Sequence, residues 1–301
     1  TCALPICNSA AIFTKNLVKS DTIYVTKKHL ENGTAQAVVV NSGNANACNP
    51  DGYEKAEKMC SLAADALGVD ENDVIVASTG VIGQPLPIEP IASGIEKLKG
   101  TLSKDGGISA AEAIMTTDTV KKQWAVETVH DGKKVTIGGI AKGSGMIHIN
   151  MGTTLSFVTT DAAISSEMLK SALIEAADVS YNMVSVDGDT STNDTLAIMA
   201  SGYAGNKEIT EKNDDYKTFT AVLTDAFKKV AKKLAKDGEG ATKLLICKVD
   251  GAKDDKSAKI ISKSIICSSL VKAAMFGADA NCGRILCAIG YSGAEKIGRA
   301  S

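Results

Sequence analysis

Short apolar runs that alternate with helical repeats restrict this chain to an architecture in which helices cover sheets. "AQAVVVNSG" reads as a buried strand ending in a turn, and "DVIVASTGVIGQPLP" as a strand entering a Gly/Pro-punctuated loop. Between them, "GYEKAEKMCSLAADALGV" has apolar or small residues at Ala56, Met59, Cys60, Ala63, Ala64 and Leu67. That is the spacing of a buried helix face, and Gly68 is placed to cap it. "PIASGIEKLKGTL" predicts another short helix, and "WAVETVHDGKKVTIGGIAK" a hairpin with Asp131-Gly132 near its turn. Further on, "TLSFVTTDAAI", "TLAIMASG" and "ATKLLICKVDGA" read as strands. "SSEMLKSALIEAADVSYNMV" predicts a helix with Ser165 or Ser166 as N-cap. "DDYKTFTAVLTDAFKKVAKKLAKDGEG" predicts a long amphipathic helix closed by Gly238, and "DKSAKIISKSIICSSLVKAAMFG" is helical. "GRILCAIGYSG" begins one more apolar segment. The expected class is α/β or α+β, as a layered sandwich. The polar stretch "YAGNKEITEKNDD" is placed to be a surface connection between domains.

A net charge of −2 over 301 residues, with no long basic block, disfavours nucleic acid as a partner. No apolar run reaches the roughly 20 residues of a membrane span. The eight cysteines form no C-x-x-C pair, and most sit in apolar stretches, so buried free thiols in a reducing compartment are expected. His29, His130 and His148 lie in separate segments, which argues against a metal site. There is no Walker A spacing, no dinucleotide glycine pattern in a strand–helix context and no G-x-S-x-G elbow. His148 has no obvious catalytic partner in the sequence.

Gly152-Thr153-Thr154, within "KGSGMIHINMGTTLSFVTTD", admits two readings. One is an ordinary strand start after a hairpin. The other is self-cleavage before a threonine, whose freed α-amine then serves as base for its own hydroxyl. A small residue at 152 permits the strained backbone that an N-to-O acyl shift needs. Acyl transfer also needs an oxyanion hole, each donor being worth about 3 kcal/mol. Thr79 and Gly80 in "ASTGVIG" offer a hydroxyl and an N–H at a strand end, although a plain turn explains them equally. "NSGNANAC" reads as a structural loop near the site. "VDGDTSTNDT" reads as a hydrogen-bonded turn network or, less simply, as a Mg/Ca loop without EF-hand spacing.

Seven motifs in order resemble the ornithine acetyltransferases (bifunctional glutamate N-acetyltransferases). They are "VVVNSGNANAC", "VIVASTGVIGQPLP", "AEAIMTTDT", "GGIAKGSGMIHINMGTTLSFVTTDAAI", "VSVDGDTSTNDT", "AKDGEGATKL" and "SLVKAAMFGADANCGRILCAIGYSG". The resemblance runs from about Ser9 to Gly293. It implies an αββα-type layered sandwich with a smaller C-terminal α/β domain, in a precursor that cuts itself. Residues 7–152 would be the α chain and 153–296 the β chain, the smaller domain starting at about residue 205. The two chains would remain associated as an α2β2 heterotetramer in the cytoplasm.

Cleavage would fall between Gly152 and Thr153, with Thr153 as the nucleophile. The implied reaction of arginine biosynthesis is ping-pong acetyl transfer from N2-acetylornithine to glutamate through an acetyl-threonine. Thr79 and Gly80 would form the oxyanion hole. Thr116, Lys142, Thr153 and Glu239 would bind substrate, Lys142 pairing a carboxylate and Glu239 an amine. No cofactor or metal is implied, and acetyl-CoA enters only as an optional acetyl donor.

The chain departs from the family pattern in places. Gly152 replaces the usual alanine, Ile149 a common proline, and Thr154 a methionine. "ANCGR" replaces the usual "PNWGR". The family's last substrate-binding residues lie beyond "IGYSG" and have no counterpart here. "TCALPI" and "KIGRAS" read as translated sequencing-adapter DNA, GCTCTTCCGATC and ATCGGAAGAGC. Residues 1–6 and 297–301 are therefore expected to be foreign, on a chain truncated at both ends. Two other readings stand beside the transferase: a self-processed N-terminal-nucleophile aminopeptidase or amidase, and an inactive fragment that keeps assembly surfaces only.

Overall fold

The computed structural model describes residues 5–148 and 154–295. The first half runs β1 (Cys7–Phe13), α1 (Asp21–His29), β2 (Thr34–Ala35), β3 (Ala37–Asn44), α2 (Gly52–Leu67) and β4 (Val74–Val81). Then come α3 (Glu89–Lys99), α4 (Gly107–Ala113), β5 (Lys122–His130), β6 (Lys133–Lys142) and β7 (Ile147–His148). The second half holds β8 (Leu155–Thr160), α5 (Ser166–Asp178), β9 (Ser185–Thr190), β10 (Thr195–Ala200) and α6 (Asp214–Lys236). Helices α7 (Asp255–Cys267), α8 (Ser269–Phe276) and α9 (Cys282–Gly290) follow.

One six-stranded sheet has the order β2-β1-β10-β8-β6-β5. Its central pair, β8 and β10, is parallel, with Leu155 beside Thr195; β6 runs antiparallel to β8, with Lys142 beside Leu155. Strands β3 and β4 form a separate parallel pair, and β7 pairs with β9.

Strand alternation decides how these sheets stack. In β8 and β10, Val158, Leu196 and Ile198 face α5 and α6, where Leu169, Leu173, Phe219, Leu223 and Phe227 are fully buried. On the opposite face, Leu155, Phe157, Ala197 and Met199 meet Ile75 and Ala77 of β4. The other face of β3–β4 packs on α1 and α2 through Val25, Ala56, Met59, Val74 and Val76. The layers are thus helix, sheet, sheet, helix, the αββα sandwich that the family resemblance implied.

Local signals hold where they are strong. Asp131 and Gly132 take φ of 49° and 71° between β5 and β6, the positive values of a two-residue type I′ hairpin turn. Ser165 caps α5 by accepting from the Met168 N–H, and Gly68 ends α2 in a left-handed conformation.

Three expectations are corrected. "ATKLLICKVDGA" joins no ladder among the described residues. It keeps a two-residue alternation, with Leu245, Cys247 and Val249 packed on a small core of Ile261, Ile265, Val271 and Ala288 while Ile246 is exposed. The stretch from Asp255 to Phe276 is two helices, because Ser268 leaves helical geometry and caps the second by accepting from the Val271 N–H. Helix α6 ends at Lys236 with Asp237 as its C-cap, one residue before Gly238. The cysteines are also mixed: Cys7 and Cys60 are buried, but Cys48, Cys282 and Cys287 are exposed. Within α9 only Ala288 is buried, so that apolar segment is largely uncovered.

Phe227 joins the sheet to its helix layer, its ring 5.9 Å from Trp124 and 4.9 Å from Tyr181, both edge-on. Phe227→Ala is expected to cost about 3–5 kcal/mol. Urea unfolding would register this as a lower midpoint with an unchanged slope.

Candidate active site

Lys142 ends β6 on the face that looks toward β3–β4, the same face as its partner Leu155. Its ammonium lies between the two sheets, 8% exposed, and donates to Thr79 Oγ1 at 3.0 Å and Thr116 Oγ1 at 2.9 Å. Burial pushes the Lys142 pKa below the ordinary lysine range, opposed by the carboxylates of Asp118, Asp194 and Glu239 and reinforced by Lys122. Thr79 accepts from Lys142, so its own O–H proton is directed elsewhere.

Gly80 follows at the end of β4, opposite Gly43 of β3. Its φ is +132°, and an added Cβ would lie 2.2 Å from the Gly43 carbonyl carbon. Only glycine fits, both for the backbone turn and for the close approach. The loop after β3 fixes this strand end. Ser78 Oγ donates to the Asn44 carbonyl at 2.6 Å, and Asn41 Nδ2 donates to Ser78 Oγ at 2.8 Å. Asn193 Nδ2 donates to the carbonyls of both Ala45 and Ser78 at 2.6 Å. "NSGNANAC" is therefore a structural loop beside the site, and "TSTND" ties it to the central sheet as a hydrogen-bonded network.

Three motifs far apart in sequence close around Lys142. Thr117 Oγ1 lies 2.6 Å from Ser144 Oγ, and the Glu239 N–H donates to the Ser144 carbonyl at 2.8 Å. The Glu239 carboxylate packs on Gly145, where an added Cβ would lie 2.5 Å from its Cδ. Thr79, Gly80, Thr116, Lys142 and Glu239 thus gather at one end of the inter-sheet layer. Gly152 and Thr153 lie outside the described residues, as does Ile149.

Thr154, the next described residue, packs against Gly143. A Cβ on Gly143, whose φ is +151°, would come within 2.0 Å of Thr154 Cγ2. His148 also has neighbours that the sequence did not reveal: its Nδ1 is 3.2 Å from Ser185 Oγ and 3.5 Å from Cys267 Sγ.

Sequence reasoning missed the buried ion cluster behind the site. Lys122, 0% exposed, pairs with Asp118 at 2.5 Å and Asp237 at 2.6 Å. Asp118 also accepts the Gly143 N–H at 2.7 Å, and Thr119 donates through its hydroxyl to Asp237. This cluster ties the turn after Lys142 to Asp237, the C-cap of α6. Asp118 lies within "MTTDT" and Asp237 within "AKDGEGATKL", but their partner Lys122 is 115 residues from Asp237 and no local pattern pairs them.

The model of the ArgJ family matches residues 3–300. The chain belongs to the ArgJ family. The Clostridium acetobutylicum protein named arginine biosynthesis bifunctional protein ArgJ 1 is 53% identical over 96% of this chain and 71% of its own length. The crystal structure of ArgJ from Bacillus halodurans is 43% identical, with a TM-score of 0.46 over 48% of this chain and 78% of that one. Ornithine acetyltransferase from Mycobacterium tuberculosis, solved with ornithine, is 34% identical, with a TM-score of 0.42 over 47% of this chain and 76% of that one. Like its ArgJ relatives, this chain is an acyltransferase of arginine biosynthesis.

Removing one partner of a buried ion cluster strands the others. Lys122→Met is expected to lower stability by about 3–5 kcal/mol. Loss of enzymatic activity in the same variant, read at a temperature where it remains folded, would tie the cluster to the site.

Proposed function

We propose that this ArgJ-family chain cuts itself between Gly152 and Thr153 and then transfers acetyl from N2-acetylornithine to glutamate through Thr153. One observation carries the reading: Lys142 is held by Thr79 and Thr116 at the same sheet end where Thr154, the neighbour of Thr153, packs against Gly143.

In the cut, Thr153 Oγ attacks the Gly152 carbonyl and the Gly152–Thr153 C–N bond breaks, leaving an ester and a free α-amine. Water hydrolyses the ester, giving a Gly152 carboxylate and restoring the Thr153 hydroxyl. In transfer, Thr153 Oγ attacks the acetyl carbonyl and passes its proton to the α-amine. The Thr79 hydroxyl and Gly80 N–H donate to the oxyanion. The acetyl C–N bond breaks, the amine returns the proton, and ornithine leaves. The glutamate amine then attacks the acetyl-threonine by the reverse route.

Lys142 would take the substrate carboxylate, exchanging its threonine hydroxyls for a charged partner, and Glu239 the substrate amine. The chemistry uses no metal and no cofactor, and acetyl-CoA is a candidate second acetyl donor. The α and β chains share strands of one sheet, β6 before the cut and β8 after it, which supports their staying together. An α2β2 assembly working in the cytoplasm completes the reading. Among the described residues no helix is long and apolar enough to cross a membrane.

Thr153→Ala is expected to remain one chain by intact mass and to lose acetyl transfer. Continued cutting in that variant would defeat the assignment. Acetate release that does not depend on glutamate would reassign the chain as a hydrolase. Thr79→Val is expected to lower kcat by about 10²–10³-fold, with a smaller change in KM. The depressed Lys142 pKa predicts substrate binding that weakens, as pH rises, earlier than an exposed lysine would dictate.

A further inference from the structure

Gly145 has no backbone reason to be a glycine. Gly143, two positions earlier, needs its φ of +151°, but Gly145 is not among the residues with positive φ. What a side chain at 145 would meet is one carboxylate. The three heavy atoms nearest to an added Cβ are Glu239 Cδ and Oε1, at 2.5 Å, and Oε2, at 2.6 Å. The bare backbone of Gly145 is therefore the seat of the Glu239 side chain.

The main chain on both sides of that seat is held. The Gly143 N–H donates to Asp118 at 2.7 Å, and the Ser144 carbonyl accepts from the Glu239 N–H at 2.8 Å. Ser144, 1% exposed, also lies with its Oγ 2.6 Å from Thr117 Oγ1. Beyond the glycine, the Met146 and Ile147 N–H groups donate to the Asp187 carboxylate at 2.6 and 3.0 Å. A methyl group at 145 is thus accommodated by moving the far end of Glu239, an exposed residue, rather than the turn. The same turn begins at Lys142, and the Glu239 charge acts on that ammonium. The seat on Gly145 fixes where the anionic group stands relative to the cationic one.

We propose that Gly145 is a positioning residue that sets acetyl-donor specificity: by leaving room for the Glu239 carboxylate, it places that group to select donors whose side chain ends in a free amine. This rests on the functional reading above, which gives Glu239 the substrate amine, and adds the residue that determines where that charge stands.

The chemistry of the two substrates makes the role one-sided. In N2-acetylornithine the α-nitrogen carries the acetyl group, so the only free amine is at the end of the side chain. Glutamate has no amine besides the one that attacks the acetyl-threonine. A displaced Glu239 carboxylate loses a charge-assisted hydrogen bond to the donor and none to the acceptor. In a ping-pong reaction kcat/KM for each substrate reports its own half-reaction, so the two effects are read separately.

The test compares the parent chain with Gly145→Ala, Glu239→Ala, the double variant and Ser144→Ala. Each is assayed with N2-acetylornithine, with N-acetylnorvaline, which is the same donor without the side-chain amine, and with glutamate as acceptor. In Gly145→Ala, kcat/KM for acetylornithine is expected to fall about tenfold, while the values for acetylnorvaline and glutamate stay within about twofold of the parent. In the Glu239→Ala background the same alanine should change acetylornithine use by less than about twofold, because the group it displaces is gone. A merely structural defect would lower all three values together and would add in both backgrounds.

A Gly145→Ala variant that uses acetylornithine within about twofold of the parent overturns the proposal. So does an equal fall for acetylornithine and acetylnorvaline, or a loss that persists in full in the Glu239→Ala background. If Gly145→Ala does not fold, Ser144→Ala decides. Without the Thr117 contact the carbonyl that holds Glu239 is less fixed, and a selective loss of about threefold for acetylornithine is expected; an unselective loss, or none, overturns the proposal. A Glu239→Ala variant that uses acetylornithine as the parent does overturns the role given to Glu239 and this inference with it. A selective loss in Glu239→Ala beside an indifferent Gly145→Ala overturns this inference alone.

Discussion

A lysine ammonium placed between two β-sheets organises this end of the molecule. Lys142 leaves the six-stranded sheet on its inner face and reaches Thr79 on the smaller sheet and Thr116 on the connecting loop. A cation in that layer loses most of its hydration, and two hydroxyls only partly replace it. The carboxylates of Asp118, Asp194 and Glu239 supply the rest at a distance. The charge is therefore available to an anionic group that enters the site, and such a group would find the lysine already oriented.

That arrangement depends on residues that touch no substrate in the proposed mechanism. Lys122 is fully buried with Asp118 and Asp237 around it, which is tolerable only because both carboxylates are in hydrogen-bond range. The same Asp118 takes the Gly143 N–H, so the cluster sets the direction in which the chain leaves β6. On the facing sheet, the contact of Gly43 with Gly80 and the amide bonds of Asn41 and Asn193 set the end of β4. Two strand ends on different sheets are thereby held at a fixed separation, Lys142 on one facing Thr79 and Gly80 on the other.

What the sequence disclosed follows the range of the interactions involved. The Asp131-Gly132 turn, the Ser165 cap and the amphipathic face of α2 depend on neighbours within a few residues and were legible. The layer order was available only through the family resemblance; the alternation that realises it in β8, β10 and β4 is a property of the folded sheets. The segment from Leu244 to Val249 carries a strand's alternation, but pairing depends on a partner that local pattern cannot name. Ser268 looked like helix interior because its capping role needs the backbone to turn first. The pairing of Lys122 with Asp237 was invisible for a related reason: a charged residue at a strand start or helix end reads as solvated until the fold brings its counter-charge. Motif matching reached Thr79, Gly80, Thr116, Lys142 and Glu239 but not the ions that hold them.

The consecutive threonines make separate demands on the same sheet end. Thr154 needs room, and Gly143 provides it: any side chain there would collide with the Thr154 methyl. The glycine that follows the binding lysine is thus tied to the residue that follows the proposed nucleophile, across the β6–β8 register. A methionine at position 154, usual in the family, would meet the same glycine with a flexible thioether and no hydroxyl. In this chain the position carries a hydroxyl instead, buried and without a hydrogen-bond partner among the described residues. The extra polar atom is costly as long as nothing donates to it or accepts from it.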